Sequence, residues 1–262
     1  MKRYLHNPIL EPIGEHDWES RLVFNAAAFV ANKRVHILYR AMGTDNVSRL
    51  GLATTSDGYT IDERLPLPVF EPSNDIESQG CEDPRISQFG DSLIMAYTAF
   101  GNHFQHQVYQ IALTSISIAD FLDRQWRWTE RILTFPGINN KDAVLFPQKF
   151  NGDYVMFHRL EPDICIARSS DLRRWHGLKY VIGPRAHGWD SWKVGAAGPP
   201  FLLNEGWIQI YHGVSADRVY SLGVILLDKN DPEHVLYRSK EPILTPRKDY
   251  ERFGKVPNVV FS

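Results

Sequence analysis

Gln88-Phe89-Gly90-Asp91-Ser92-Leu93-Ile94-Met95-Ala96-Tyr97 reads as strand, polar turn, strand, with the turn formers Gly90, Asp91 and Ser92 between two stretches of strand-forming residues. The same pattern returns in residues 30–40 around Asn32-Lys33, in residues 149–159 around Asn151-Gly152-Asp153, and in residues 203–212 around Asn204-Glu205-Gly206. These units recur at a spacing of roughly sixty residues, the kind of period that signals a repeat architecture. Beyond the hairpins lie further strands, three of them followed by Ser or Ser/Asp turns: Leu52-Ala53-Thr54-Thr55-Ser56-Asp57, Ile111-Ala112-Leu113-Thr114-Ser115 and Ile166-Ala167-Arg168-Ser169-Ser170-Asp171, with Leu222-Gly223-Val224-Ile225-Leu226-Leu227 in the fourth unit. An edge strand near Trp128, Trp175 or Tyr237 brings each unit to four short strands. Four-stranded units repeated at this spacing predict an all-β chain folded as a β-propeller.

The last residues, Lys255-Val256-Pro257-Asn258-Val259-Val260-Phe261-Ser262, resemble the opening strand of a further unit, the counterpart of Asp142-Ala143-Val144-Leu145-Phe146-Pro147. No hairpin follows. The expectation is therefore a five-bladed propeller whose last blade is either completed by residues 1–19 or incomplete in this chain, with no C-terminal helix. At 262 residues, 1–262 reads as one catalytic domain.

Composition narrows the function. Lys plus Arg number 29 against 31 for Asp plus Glu, so the broad basic footprint of a nucleic-acid binder is missing. Cys81 and Cys165 stand about eighty residues apart with no metal-ligand spacing, so no metal site is expected and a reduced, cytoplasmic protein fits. The N-terminal Met1-Lys2-Arg3-Tyr4-Leu5-His6 leads into Asn7-Pro8 and not into an apolar core, and no apolar run reaches membrane-span length. Ten histidines, seven tryptophans and eleven tyrosines supply side chains that stack on sugars and still hydrogen-bond, a property that large β cores also use.

In a propeller the first strand of each blade lines the central channel, so polar residues recurring there converge on one funnel. Asn25, Asp83 and Asp142 occupy such strands, while Arg40, Arg159 and His212 fall at matching places on second strands. Mutual satisfaction inside a water-filled channel is the structural alternative. Asp83 within Cys81-Glu82-Asp83-Pro84-Arg85 could simply pair with Arg85, Asp142 could hold Lys141 in place, and His103 and His106 fall on a loop at residues 101–107.

The chain resembles glycoside hydrolase family 130, five-bladed propellers that are mostly inverting β-mannoside phosphorylases and include some β-1,2-mannosidases. The matching stretches are Glu82-Asp83-Pro84-Arg85, Lys141-Asp142-Ala143-Val144-Leu145-Phe146-Pro147, His158-Arg159, Lys193-Val194-Gly195-Ala196, Tyr211-His212-Gly213, Tyr220-Ser221-Leu222-Gly223 and Val256-Pro257-Asn258-Val259-Val260-Phe261. The resemblance implies that Asp83 is the proton donor, acting through a hydroxyl of the mannose. It implies that Asn25, Arg40, Arg49 and Lys193 hold the transferred mannose, and that Lys141, Arg159, His212 and Tyr220 form a phosphate pocket.

On that resemblance the chain is an inverting phosphorylase of β-1,4- or β-1,2-linked manno-oligosaccharides. It uses no cofactor, takes inorganic phosphate as co-substrate, and acts without nucleic acid or membrane. The acceptor sugar and assembly into a homo-oligomer are left open. Inverting cleavage needs an acid on the leaving oxygen and a nucleophile on the opposite face; a hydrolase adds a carboxylate to activate water, whereas phosphate arrives as an anion needing only cations and donors to place it. The competing readings are a β-mannosidase using water and a non-catalytic glycan-binding propeller. The latter is motivated by the segment that family members carry beyond the final motif and that does not follow here.

Overall fold

The computed structural model describes residues 2–104 and 106–261. It is all-β, and its strands run as antiparallel meanders in sequence order within two compact units, Lys2–Asn139 and Asn140–Ser262. The first unit holds β1 (Leu22–Ala31), β2 (Arg34–Met42), β3 (Ser48–Thr55) and β4 (Glu63–Arg64), then β5 (Gly80–Phe89), β6 (Ser92–His103), β7 (His106–Ser117) and β8 (Ile132–Leu133). The second holds β9 (Lys141–Leu145), β10 (Tyr154–Leu160), β11 (Asp163–Ser169) and β12 (His176–Ile182), then β13 (Lys193–Ala196), β14 (Phe201–Leu203), β15 (Gly206–Val214), β16 (Tyr220–Leu227) and β17 (Val235–Arg238). A short helix, α1 (Ile118–Leu122), follows β7 and is capped by the Ser117 hydroxyl, which accepts from the Asp120 amide at 2.9 Å.

The expected turns are present, with two differences. In the third hairpin β9 stops at Leu145, because Pro147 has no amide to donate to the ladder; Phe150 and Asp153 then meet only in an isolated bridge. His103 and His106, expected on a loop, instead face each other as the last pair of the long β6–β7 hairpin.

The termini also differ from expectation. Residues 255–261 form no strand: Val259 makes one parallel bridge to Tyr220, and the adjacent Leu222 of β16 is already bridged by Leu244. A one-turn helix, α2 (Asp249–Arg252), precedes this segment, where no C-terminal helix was expected. Among the described residues of 2–19 there is no strand either. Ile9, Leu10 and Trp18 pack on the cluster of Ile37, Tyr39, Ala41 and Ala53. Positions 1 and 262 lie outside the described residues.

Strand β2 shows how a meander is held on both sides. Leu38 belongs to a cluster with Leu50, Phe70, Leu93, Met95 and Tyr97, whereas Ile37, Tyr39 and Ala41 belong to another, so alternate residues enter separate apolar layers. In the second unit Val155 and Phe157 of β10 share a layer with Trp207, Tyr211, Ile225 and Leu227. The first two meanders are joined by a parallel pairing, Ser48 with Gly80. Gly80 has φ 139°, and a Cβ there would lie 2.6 Å from the Ser48 amide nitrogen, so both conformation and space require glycine.

Three first strands carry the same irregularity. On β1 the pairing jumps between Phe24 and Ala27, on β5 between Glu82 and Arg85, and opposite β9 between Phe157 and Arg159, one extra residue each time. Asn25, Asp83 and Asp142 sit in these bulges with φ of 47°, 51° and 55°. Asn and Asp tolerate this left-handed conformation best among residues with a side chain, and the bulge turns that side chain out of the regular alternation.

One buried group in β10 makes stability pH-dependent. His158 lies beside Asn140 at 3.0 Å, and burial pushes its pKa down to about 4. The native state keeps the imidazole neutral while the unfolded chain protonates near the ordinary value of 6.5, so the unfolded state binds more protons between these limits. Stability contributed by this site should therefore be full above about pH 6.5 and fall by about 3 kcal/mol on acidification to pH 4. Urea denaturation across that range checks this, with His158→Gln expected to flatten the corresponding part of the profile.

Candidate active site

In the first unit the bulges of β1 and β5 bring Asn25 and Asp83 together. Asn25 Nδ2 donates to Asp83 Oδ1 at 2.8 Å. Arg40, from β2, donates through all three of its nitrogens: Nε to Ser48 Oγ at 2.8 Å, Nη1 to Asp83 Oδ1 at 2.8 Å and Nη2 to Glu82 Oε1 at 2.6 Å. Its guanidinium carbon lies 4.5 Å from the Phe24 ring centroid. Arg40, Glu82 and Asp83 are all buried, so the cation is held by charge-assisted bonds in a low dielectric, and removing it would take one such bond from each of two buried carboxylates.

In the second unit a cation-rich group surrounds Asp142. Arg159 Nη1 lies 2.6 Å from Asp142 Oδ2, and His212 Nε2 lies 3.4 Å from the same oxygen. Lys141 is paired in register with Arg159 across β9 and β10. Glu161 accepts from Lys193 Nζ at 2.8 Å and sits 3.4 Å from Arg159 Nη2. Burial would raise the Glu161 carboxyl, but the Lys193 bond and the charges of Arg159 and Lys193 outweigh it and hold the group below its usual range. Lys193 is lowered, first by burial and then by the like charge of Arg159. Burial raises the Tyr220 phenol, which also feels the charges of Arg159, Asp142, Glu161 and Lys141. The His212 ring has Phe261 at 4.5 Å and Tyr220 at 6.0 Å between centroids.

Gly195 makes this group possible. It is paired with His212 across β13 and β15, and a Cβ at position 195 would overlap Asp142 Oδ2 and lie 2.5 Å from His212 Cε1.

The structure thus joins Asn25, Arg40 and Asp83 in one network and Lys141, Arg159, Lys193, His212 and Tyr220 in another. Lys193 belongs with the second set, alongside the residues assigned to phosphate. Arg49 has partners of its own: Nη1 donates to Asp45 Oδ2 at 2.8 Å, and Nε lies 3.6 Å from Glu71 Oε2. Asp142 reaches Arg159 and His212. Sequence reasoning gave no role to Glu82, Ser48, Glu161 or Gly195. Glu82 and Gly195 stand inside quoted motifs, and their position next to Asp83 and two residues after Lys193 was the available signal.

Among the described residues no three His, Cys, Asp or Glu side chains gather as a metal site. Cys81 is buried next to Glu82, and its thiol is pushed well up, first by burial and then by Glu77, which keeps it protonated and unreactive.

A family model described as β-1,4-mannooligosaccharide phosphorylase, that of glycoside hydrolase family 130, matches residues 1–262. The chain belongs to family 130. Its relatives in that family include a 1,2-β-oligomannan phosphorylase of Thermoanaerobacter sp. (strain X514), 43% identical over all of this chain and 88% of the relative's length. A β-1,2-mannobiose phosphorylase of the same organism is 42% identical with the same coverage. Among solved structures, the Listeria innocua β-1,2-mannobiose phosphorylase in complex with β-1,2-mannobiose matches at TM-score 0.83 and 27% identity, over 99% of this chain and 88% of that one.

Within this family 130 chain the second network is sterically full at Gly195. Gly195→Ala should leave the β13–β15 pairing in place while displacing Asp142 and His212, lowering turnover of mannosides on the order of 100-fold. Steady-state rates measured beside a thermal melt check this; unchanged rates would show that the close contact does not set the geometry.

Proposed function

We propose that the protein is an inverting β-mannoside phosphorylase that cleaves β-1,2-linked manno-oligosaccharides with inorganic phosphate, releasing α-mannose 1-phosphate and a shortened sugar. Membership of family 130, with phosphorylases 43% and 42% identical over the whole chain, makes it an enzyme of β-mannoside phosphorolysis. The β-1,2 linkage is favoured because both of these relatives are named for it. A β-1,4-mannooligosaccharide phosphorylase of Ruminococcus albus is 42% identical over only 47% of the chain.

The observation that carries the reading is the clustering of Lys141, Arg159, Lys193 and His212 around two carboxylates, in one unit of the fold. Asp83 delivers its proton toward the leaving oxygen, the C1–O bond breaks, and a phosphate oxygen forms the new bond to C1 from the opposite face, which inverts β to α. Asp83 is then reprotonated from solvent. Asn25 and Arg40 orient Asp83 and hold the mannose, with Arg49 and Lys193 as further sugar contacts. Lys141, Arg159, His212 and Tyr220 bind the phosphate, which needs positioning and charge but no base. Hydrolysis would need a carboxylate that takes a proton from water. Asp142 and Glu161 are both held by cations, and Glu161 is kept below its usual range, so they suit the ordering of cations.

We extend the reading to the fold. The meanders act as blades of a five-bladed propeller and the two units as one catalytic domain. Asn258 supports this: its φ of 57° repeats Asn25, Asp83 and Asp142, and its carbonyl accepts from the Tyr220 amide at 2.9 Å. A cytoplasmic location is supported by two free, buried cysteines.

The test is incubation with β-1,2- and β-1,4-mannobiose, with and without phosphate, and identification of the product anomer by NMR. Phosphate-dependent α-mannose 1-phosphate is expected; free mannose formed without phosphate would overturn the reading. Asp83→Asn should lower kcat by about 10²–10⁴, the range for loss of a positioned proton donor. Arg159→Ala and His212→Ala should raise KM for phosphate more than KM for the mannoside.

A further inference from the structure

Among the described residues a buried carboxylate, tyrosine and arginine are assembled three times. In the first meander Glu19 Oε2 accepts from Tyr39 Oη at 2.8 Å and from Arg64 Nη2, while Arg64 Nε donates to Tyr39 Oη at 2.9 Å. In the second, Glu77 accepts from Tyr97 Oη through one oxygen and from Arg131 Nη1 through the other. In the fourth, Asp190 Oδ2 accepts from Tyr211 Oη at 2.9 Å and Arg238 Nη2 at 2.5 Å, while Arg238 Nε donates to Tyr211 Oη at 3.1 Å and Arg185 Nε to Asp190 Oδ1 at 2.8 Å. All three carboxylates are fully buried.

The first and fourth copies match beyond these three groups. Trp18 precedes Glu19 and stacks on Tyr39 at 6.2 Å, as Trp189 precedes Asp190 and lies against Tyr211 at 5.3 Å. Gly51 and Gly223 stand opposite the two tyrosines in register, and a Cβ at either would clash, lying 2.5 Å from Tyr39 Oη or 2.7 Å from Tyr211 Cε1. Burial, the largest cause, raises the tyrosines, Tyr211 to about 12, so each hydroxyl stays protonated and donates to its carboxylate.

Each tyrosine is followed directly by another second-strand residue: Tyr39 by Arg40, Tyr97 by Thr98, Tyr211 by His212. Successive strand residues point to opposite faces, so fixing the tyrosine ring behind the sheet fixes the backbone from which its neighbour projects in front. We propose that the Glu19–Tyr39–Arg64 and Asp190–Tyr211–Arg238 clusters are positioning devices that set Arg40 for the sugar and acid side of the reaction and His212 for phosphate. The second copy, behind Thr98, has no site residue to set and serves stability alone. This rests on the phosphorylase reading for the meaning of its kinetic readouts.

The internal repeat supplies its own control. Tyr39→Phe, Tyr97→Phe and Tyr211→Phe each remove one hydroxyl from an equivalent cluster, and all three should lower Tm by similar amounts. Tyr211→Phe should raise KM for phosphate on the order of fivefold with KM for mannobiose little changed. Tyr39→Phe should lower kcat at saturating phosphate by a similar factor with KM for phosphate unmoved. Tyr97→Phe should alter neither. Equal kinetic effects from all three variants, or a lowered Tm without the KM and kcat split, would overturn the proposal. If a phenylalanine variant does not fold, Arg64→Lys or Arg238→Lys, which keeps the charge and loses the forked geometry, is read in the same way. Failure of the phosphorylase reading is separate and shows in the wild-type protein as turnover independent of phosphate.

Discussion

A strand repeats its side chains every second residue, and the polar centres of this protein depend on breaking that rule once in each of three first strands. One extra residue in β1, β5 and β9 puts Asn25, Asp83 and Asp142 in the left-handed region and turns them to the partners they meet. Such conformations cost energy at each position, least for Asn and Asp, and persist only where the surroundings over-determine them. Here the surroundings are the ladders on both sides of each bulge and the bonds that the displaced side chains make. Without the bulge, Asp83 would fall into the regular alternation and lose its place against Asn25 and Arg40.

Charge is handled the same way in both units. Arg40 divides itself between Glu82 and Asp83, and Arg159 between Asp142 and Glu161, so each of these two buried cations meets two carboxylates. Buried ion pairs contribute little net stability against apolar packing, and their loss of one partner is costly. Networks of this kind are therefore better understood as fixing geometry than as supporting the fold, which rests on the apolar layers around Leu38 and Phe157.

Much of this could be read from the chain. Hairpins announce themselves locally through Asn32-Lys33, Gly90-Asp91 and Asn204-Glu205, and the polar residues on successive first and second strands stood out once the units were aligned. Asn25, Arg40 and Asp83 do meet, as do Arg159 and His212. What stayed hidden depends on distance in sequence. Glu19, Tyr39 and Arg64 are separated by about twenty residues at each step, and no local pattern marks them as a cluster. Gly195 looked like a motif glycine, but its reason is the oxygen of Asp142, visible only in three dimensions. Residues 255–261 carry a strand-like sequence without forming a strand, because the neighbouring part of β16 is already occupied.

The pairing of Ser48 with Gly80 has a consequence for how the protein breathes. It merges two meanders into one eight-stranded sheet, whereas the meanders of the second unit form separate sheets. The joint is a single pair, but the two halves also share one apolar layer, in which Leu38, Leu50 and Leu52 meet Leu93, Met95 and Tyr97. Opening one half exposes the apolar layer of the other, so the amides of β3 and β5 should exchange with solvent as one cooperative block.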